Sequence, residues 1–267
     1  MSLLTDESSV MDQVEDDLVL VERAGRRATV IMNDPFSLNA LSKPLTVKLR
    51  QALEDVVADA GVGVVVLTGA DPAFSAGVAP VWPAQSRPSR EGPSREGRAT
   101  EGAAGEGPSE EDGTPGAVRW ELGEIARLIA RSGKPFIASV NGIASGAGLA
   151  LALACDVVIM SHSARLDPAS GRVGLLPEVG MSWLLTRRLG YHRTLSLFTR
   201  GHQLSAVEAG QSGLVDVAVD DDQLESVVSF WCHVANLAAT PDMAKPLVRS
   251  ATESGVGRAT VMGEFAA

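Results

Sequence analysis

The sequence predicts a layered α/β protein, and three observations carry that expectation. Val62 to Thr68 is a short run of mostly β-branched residues with no polar alternation, which is how a strand buried on both faces reads. Phe136 to Val140 is a second run of the same kind. Ahead of the first run, Leu45, Leu49, Leu53 and Val56 recur at helical spacing behind Ser42, a residue type that caps helices.

The remaining elements follow in chain order. Residues 1–16 are acidic and polar and are expected to be disordered. Leu18 to Glu22 and Ala28 to Met32 read as strands, joined by a hairpin at Ala24-Gly25-Arg26-Arg27. A loop, NDPFSLNALS, leads into the helix that runs to about Ala58. Residues 82–116 are rich in Pro, Gly, Ser, Glu and Arg, and repeat PSREG from Pro88 and from Pro93. No packed core can be built from such a stretch, so it reads as a low-complexity mobile insertion. A helix resumes from Ala117 to Arg131. After the second buried run come a helix from Gly148 to Ala154 and a strand from Val157 to Met160. Met181 to Leu189, Thr194 to Thr199 and Ser205 to Gln211 read as helices, the last opening on the capping box Ser205-Ala-Val-Glu208. Leu214 to Val219 is expected as a strand. Helices over about Asp222 to Ala238 and Pro241 to Thr252 close the chain within a C-terminal helical region, 220–267.

Bulk properties narrow the function. The 267 residues suffice for one large domain or a domain with a small appendage. With 45% hydrophobic but only 4% aromatic residues, Val, Leu, Ile and Ala must fill the core. A net charge of -10 argues against sequence-independent nucleic-acid binding and against attraction to anionic lipid. The two cysteines, Cys155 and Cys232, form no disulfide framework, which suits a reducing cytoplasm. The four histidines show no metal-ligand spacing, the acidic N-terminus lacks the pattern of a secretory signal, and no apolar run spans a bilayer.

Three segments are able to carry chemistry. Phe74-Ser75-Ala76-Gly77-Val78 follows a buried strand, and its small residues let a ligand approach the backbone. Asn141 to Gly148, NGIASGAG, opens an apolar helix whose first N–H groups lack helical partners. It has neither the Lys-Ser/Thr of a nucleotide loop nor GxGxxG spacing, so a neutral oxyanion site fits better than a triphosphate site. Leu175-Leu176-Pro177-Glu178-Val179 sets a carboxylate among apolar residues, where its proton affinity rises toward neutral pH. Taken singly, each reads better as a tight turn, close helix packing or a first-turn helix charge. Together they make a constellation for chemistry next to a thioester carbonyl.

The same residues resemble a known family. NDPFSLNALS, VVVLTGADPAFSAG, KPFIASVNGIASGAGLALALACDVVI and SARLDPASGRVGLLPEVGMSWLLTRRLG, in that order, are similar to the enoyl-CoA hydratase/isomerase (crotonase) superfamily from about Leu18 to Val219. The resemblance implies a spiral of ββα units with C-terminal helices that build a homotrimer or dimer of trimers. It implies neither a metal nor a redox cofactor, with coenzyme A arriving as part of an acyl-CoA substrate. Carried over, the backbone N–H groups of Val78 and Ala147 form the oxyanion hole. Main-chain groups of Ser37, Leu38 and Ala40, with Ala76 beside them, hold the coenzyme A end. The two glutamates that hydratases use to hold water fall on Ala150 and on Ala169 or Ser170, so the two-Glu route is missing. Glu178 stands where relatives that shift double bonds carry a carboxylate. The resemblance therefore favours isomerisation in the cytoplasm; the alternatives are a catalytically silent CoA-ester-binding or assembly subunit, hydration, or thioester hydrolysis. Relatives commonly continue for another helix where this sequence ends at EFAA, so the C-terminal helical region is expected to be shortened.

Four other residues receive structural readings. Asp167, near the pocket, reads either as a second carboxylate or, in preference, as a cap or turn before Pro168, His162 as a solvated or packed strand end, Cys155 as core, and Trp183 as either acyl-pocket wall or helix-face core.

Overall fold

The computed structural model describes residues 18–78, 115–168, 179–237 and 245. Strands β1 (Val19–Ala24) and β2 (Arg27–Met32) form the expected hairpin, with Ala24 opposite Arg27. Helix α1 (Lys43–Ala58) is capped by Ser42, whose hydroxyl accepts from the Leu45 N–H, and turns Leu45, Leu49, Leu53 and Val56 inward. Strand β3 (Val64–Gly69) follows and pairs in parallel with β2. After helix α2 (Pro115–Arg131), β5 (Phe136–Val140) and β7 (Val157–Ser161) extend the same sheet, and β10 (Val217–Val219) closes it. The order is β1-β2-β3-β5-β7-β10, antiparallel only at the β1–β2 pair.

Burial of β3 follows from that position. Val65 and Leu67 enter the core shared with α1 and α2, while Val64 and Val66 enter a second core beneath helix α7 (Leu224–Leu237). A strand covered on both faces needs no polar alternation, which accounts for the unbroken apolar run.

A second, smaller sheet sits at the carboxyl ends of these strands. Its members are β4 (Ala73–Ser75), β6 (Ile143–Ser145), β8 (Arg165–Asp167) and β9 (Leu204–Ser205), in that order. Each of β3, β5 and β7 leads into one of them, so a long strand and a short strand recur in turn, as expected of the spiral. The sequence reading contained none of these short strands. Two or three residues show no period, and their extended form is set by the neighbour they pair with. The remaining helices are α3 (Ala147–Ala154), α4 (Met181–Leu189), α5 (Tyr191–Arg200) and α6 (Ala206–Ser212), the last bearing the complete Ser205–Glu208 capping box. Several boundaries shift from expectation; α5 is longer at both ends than Thr194 to Thr199, and β10 starts at Val217 because residues before it form a turn.

The acidic N-terminus, the insertion and the last helix lie outside the described residues, except at the insertion's edge, where α2 already begins at Pro115, and at Lys245. The Lys245 ammonium donates to the Ile129 and Lys134 carbonyls at 2.9 Å and pairs with Asp156 at 2.7 Å. Asp156 also accepts the Phe136 N–H at 2.8 Å. Cys155 and Cys232 are buried and are not joined in a disulfide. Among the described residues, no helix is long and apolar enough to cross a membrane, and no cluster of His, Cys, Asp or Glu has the form of a metal site.

Candidate active site

The site grows from the loop between β2 and α1. A 3-10 turn at Pro35–Ser37 is followed by two left-handed residues, Leu38 (φ 56) and Asn39 (φ 55). Asn tolerates that conformation, whereas a Leu held there stores strain that its surroundings must offset. The offset comes from Asn39, which is fully buried. Its amide donates to the Ala70 and Ala73 carbonyls at 2.7 Å, and its oxygen accepts from the Asp34 N–H at 2.9 Å.

This loop is stitched to residues 75–77, the first Gly-rich segment. The Ala76 N–H donates to the Leu38 carbonyl, the Ser75 hydroxyl to the Asn39 carbonyl, and the Leu41 N–H to the Gly77 carbonyl, at 2.8–2.9 Å. The two candidate coenzyme A segments, 37–40 and Ala76, are therefore side by side. Within the loop, the N–H groups of Ser37 and Leu38 donate to the Asp34 and Pro35 carbonyls, and that of Ala40 to the Ser37 hydroxyl. The Leu38 carbonyl already accepts the Ala76 N–H and the Ala40 carbonyl the Ser42 N–H, each keeping a second lone pair of the kind an amino group can use.

The candidate oxyanion donors are brought together by two glycines. Gly77 has φ +88, and a Cβ placed on it would lie 2.7 Å from the Ser145 carbonyl oxygen and 3.6 Å from the Ala147 nitrogen. The turn bearing Val78 thus lies directly against the start of α3. Because a trans peptide points its C=O and N–H in opposite directions, the Gly77 carbonyl aimed at Leu41 sends the Val78 N–H away from Leu41. Ala147 is the first residue of α3, where the helix supplies no acceptor for its N–H and the helix dipole favours negative charge. Gly148, one residue on, is pressed against β4: a Cβ there would meet Ser75 Cβ and O at 2.7 Å.

Other predicted positions fall as follows. Ala150 is fully buried in α3, where a small apolar side chain fits and no carboxylate exists. Glu178, Ala169 and Ser170 lie outside the described residues. Asp167 is neither a cap nor a turn. It ends β8, is only 6% exposed, accepts from Gln203 Nε2 at 3.0 Å, and through its carbonyl holds the Gly146 N–H at 2.9 Å. Gly146 immediately precedes Ala147, so Asp167 belongs to the wall of the site. Strand pairing with Ser145 claimed it, and a single Asp-Pro gave no sign of that. Trp183 is partly buried against the main core, with the Arg187 guanidinium over its ring at 5.2 Å. His162 is a half-exposed strand-end residue paired with Asp220, and Cys155 is core. Sequence reasoning missed Asn39 and Ser75 as organisers. The NAL triplet was the available signal for Asn39; Gln203 had none.

Comparison with known proteins places this geometry in context. Residues 27–255 match the family model described as enoyl-CoA hydratase/isomerase. The chain is similar to 1,2-epoxyphenylacetyl-CoA isomerase of Escherichia coli (strain K12), 30% identical over 226 residues, covering 85% of this chain and 78% of that protein. It is similar to a probable enoyl-CoA hydratase of Rhizobium meliloti (strain 1021), 32% identical over 230 residues, covering 83% of this chain and 79% of that protein. Among solved structures it resembles a monofunctional enoyl CoA isomerase from M. smegmatis, with TM-score 0.69 and 28% identity over 92% of this chain and 98% of that one. It also resembles an enoyl-CoA hydratase from Mycobacterium avium subsp. paratuberculosis K-10, with TM-score 0.74 and 26% identity over 93% and 90% of the two chains.

Proposed function

Since the chain belongs to the enoyl-CoA hydratase/isomerase family, whose members act on acyl-CoA thioesters, we propose that it shifts a double bond within an enoyl-CoA, using Glu178 as its single acid/base. The observation that carries this reading is the distribution of carboxylates. Glu178 follows Leu175-Leu176-Pro177, while the positions where two-Glu hydration needs carboxylates hold buried Ala150 and Ala169 or Ser170. One carboxylate suffices for isomerisation, because it removes a proton at one carbon and returns it at another. Similarity to relatives named isomerases supports the reading; similarity to relatives named hydratases leaves hydration as the competing outcome.

The reading implies the following steps. The thioester carbonyl oxygen sits between the N–H groups of Val78 and Ala147. Glu178 takes a proton from C2 of a 3-enoyl thioester, and the electron pair moves onto the carbonyl oxygen as a dienolate. The N–H pair stabilises that charge; each such donor is worth about 2.7–4 kcal/mol in comparable sites. The protonated Glu178 then delivers its proton to C4, leaving the double bond between C2 and C3. Carbonyl groups of Ser37, Leu38 and Ala40, beside Ala76, hold the nucleotide end. We further propose a cytoplasmic homotrimer or dimer of trimers acting on its substrate without metal or redox cofactor.

The test is incubation with 3-enoyl-CoA and, separately, 2-enoyl-CoA, with products followed by absorbance and mass. Conjugated product at unchanged mass is expected, with the rate falling at least about 10²-fold in Glu178→Gln. A water-sized mass gain from the 2-enoyl substrate would sink the isomerase reading. Retained ligand binding with no turnover of either substrate would favour a silent CoA-ester-binding subunit.

A further inference from the structure

Phe74 and Phe136 are fully buried, as phenylalanine usually is in a core, whereas Phe36 is 101% exposed. A lone exposed aromatic means little by itself. Phe36, however, stands on the turn that supplies the candidate nucleotide-holding carbonyls, between Pro35 and Ser37. Two residues on, Leu38 is also exposed, at 41%, in the strained left-handed conformation. The loop that presents both side chains is not slack. Asn39 ties it to the Ala70 and Ala73 carbonyls, and Leu38 is bonded to Ala76. A rigid loop that holds apolar groups out into water has already met the ordering cost of binding a flat apolar ligand face.

We propose that Phe36 is a stacking platform for the purine ring of the coenzyme A thioester. The chemistry on the loop selects the base over the other parts of coenzyme A. The Ser37 carbonyl oxygen, and the lone pair that the Ala76 N–H leaves on the Leu38 carbonyl, accept from an exocyclic amino group. The Asp34 carboxylate, held by the Ser37 hydroxyl, disfavours a phosphate in the same place. An aromatic face beside acceptors is the combination by which proteins take up unpaired bases. This inference rests on the acyl-CoA reading above and adds a binding residue to it; Phe36 takes no part in the chemical step.

The test compares butyryl-CoA with butyryl-N-acetylcysteamine, which carries the same acyl thioester and lacks the nucleotide. Phe36→Ala should raise the Kd for butyryl-CoA, and the KM for 3-enoyl-CoA, about five- to tenfold, the range of a one-sided base stack. Its kcat and its affinity for the truncated thioester should not change, and Phe36→Trp should restore tight binding. Unaltered butyryl-CoA affinity in Phe36→Ala, with wild type binding normally, would overturn the platform and leave the acyl-CoA reading standing. Equal weakening toward both thioesters would also overturn it, since the ring would then act through the acyl site or the fold. Failure of the wild type to bind butyryl-CoA would overturn the acyl-CoA reading and the platform with it.

Discussion

The α7 face of the main sheet and the corner at the carboxyl ends of its strands are held by different physics. On the α7 side, Val64, Val66, Ile137 and Ile159 meet Leu224, Val228 and Cys232 in an aliphatic layer. Its stability comes from area removed from water, which depends weakly on the exact position of any one atom. At the corner where β4 meets α3, the contacts are backbone against backbone: Gly148 against Ser75, Gly77 against Ser145, and a buried Asn39 bonded to two carbonyls and an N–H. Such a corner holds atoms to within tenths of an ångström, at the cost of tolerating almost no added volume. Stabilising charge on one oxygen requires that kind of placement, and a helix on an aliphatic layer does not.

Substitutions at the corner should therefore hurt out of proportion to their size. Asn39→Ala leaves the Ala70 and Ala73 carbonyls and the Asp34 N–H without their buried partner, and should destabilise the fold by about 3–5 kcal/mol, read by denaturant unfolding. A loss below about 1 kcal/mol would mean that water replaces the amide and that the corner is less rigid than described. Gly148→Ala adds one methyl at 2.7 Å from Ser75. α3 must move off β4, which should cost about 1–3 kcal/mol of stability. Because the movement displaces Ala147, turnover should fall about 10²-fold, measured beside the stability change. Full activity in a destabilised Gly148→Ala protein would break the link between this packing and the site.

That contrast also explains what was legible in the sequence. Regions organised by area announce themselves, because area requires runs of apolar residues. Val64–Gly69 and Phe136–Val140 could be read from composition, and α1 from the spacing of Leu45, Leu49 and Leu53. Regions organised by single contacts do not. β4, β6, β8 and β9 are two or three residues long, below any period, and are extended because a neighbour pairs with them. Of the two readings of Asp167, the preferred one, a turn, fails for the same reason, since its place depends on Ser145 and Gln203 rather than on Pro168. The candidate donors at Val78 and Ala147 were reached through glycine spacing and family resemblance. The Asn39–Ser75 bonding that holds one beside the other shows no such pattern.

The smallest predicted effect belongs to the rim of the α7 face. Arg27 donates to both carboxylate oxygens of Glu225, at 2.6 and 3.1 Å, and this bonding holds the Glu225 carboxyl below its ordinary value of 4.5. The same pairing raises the Arg27 guanidinium, so the two partners agree in direction. A carboxylate whose proton affinity is lowered by folding contributes stability above its unfolded value and loses it as pH falls through the depressed folded value. Glu225 is 71% exposed, so solvent screening limits the contribution to about 0.5 kcal/mol or less. Thermal melts of wild type and Glu225→Gln should therefore differ slightly at neutral pH and converge once pH drops below the folded value. A gap that persists at the lowest pH would show that Glu225 acts through packing or its Ser229 bond instead of its charge. A gap above about 2 kcal/mol at neutral pH would mean that this face, too, depends on one placed contact, and would remove the contrast with the β4–α3 corner.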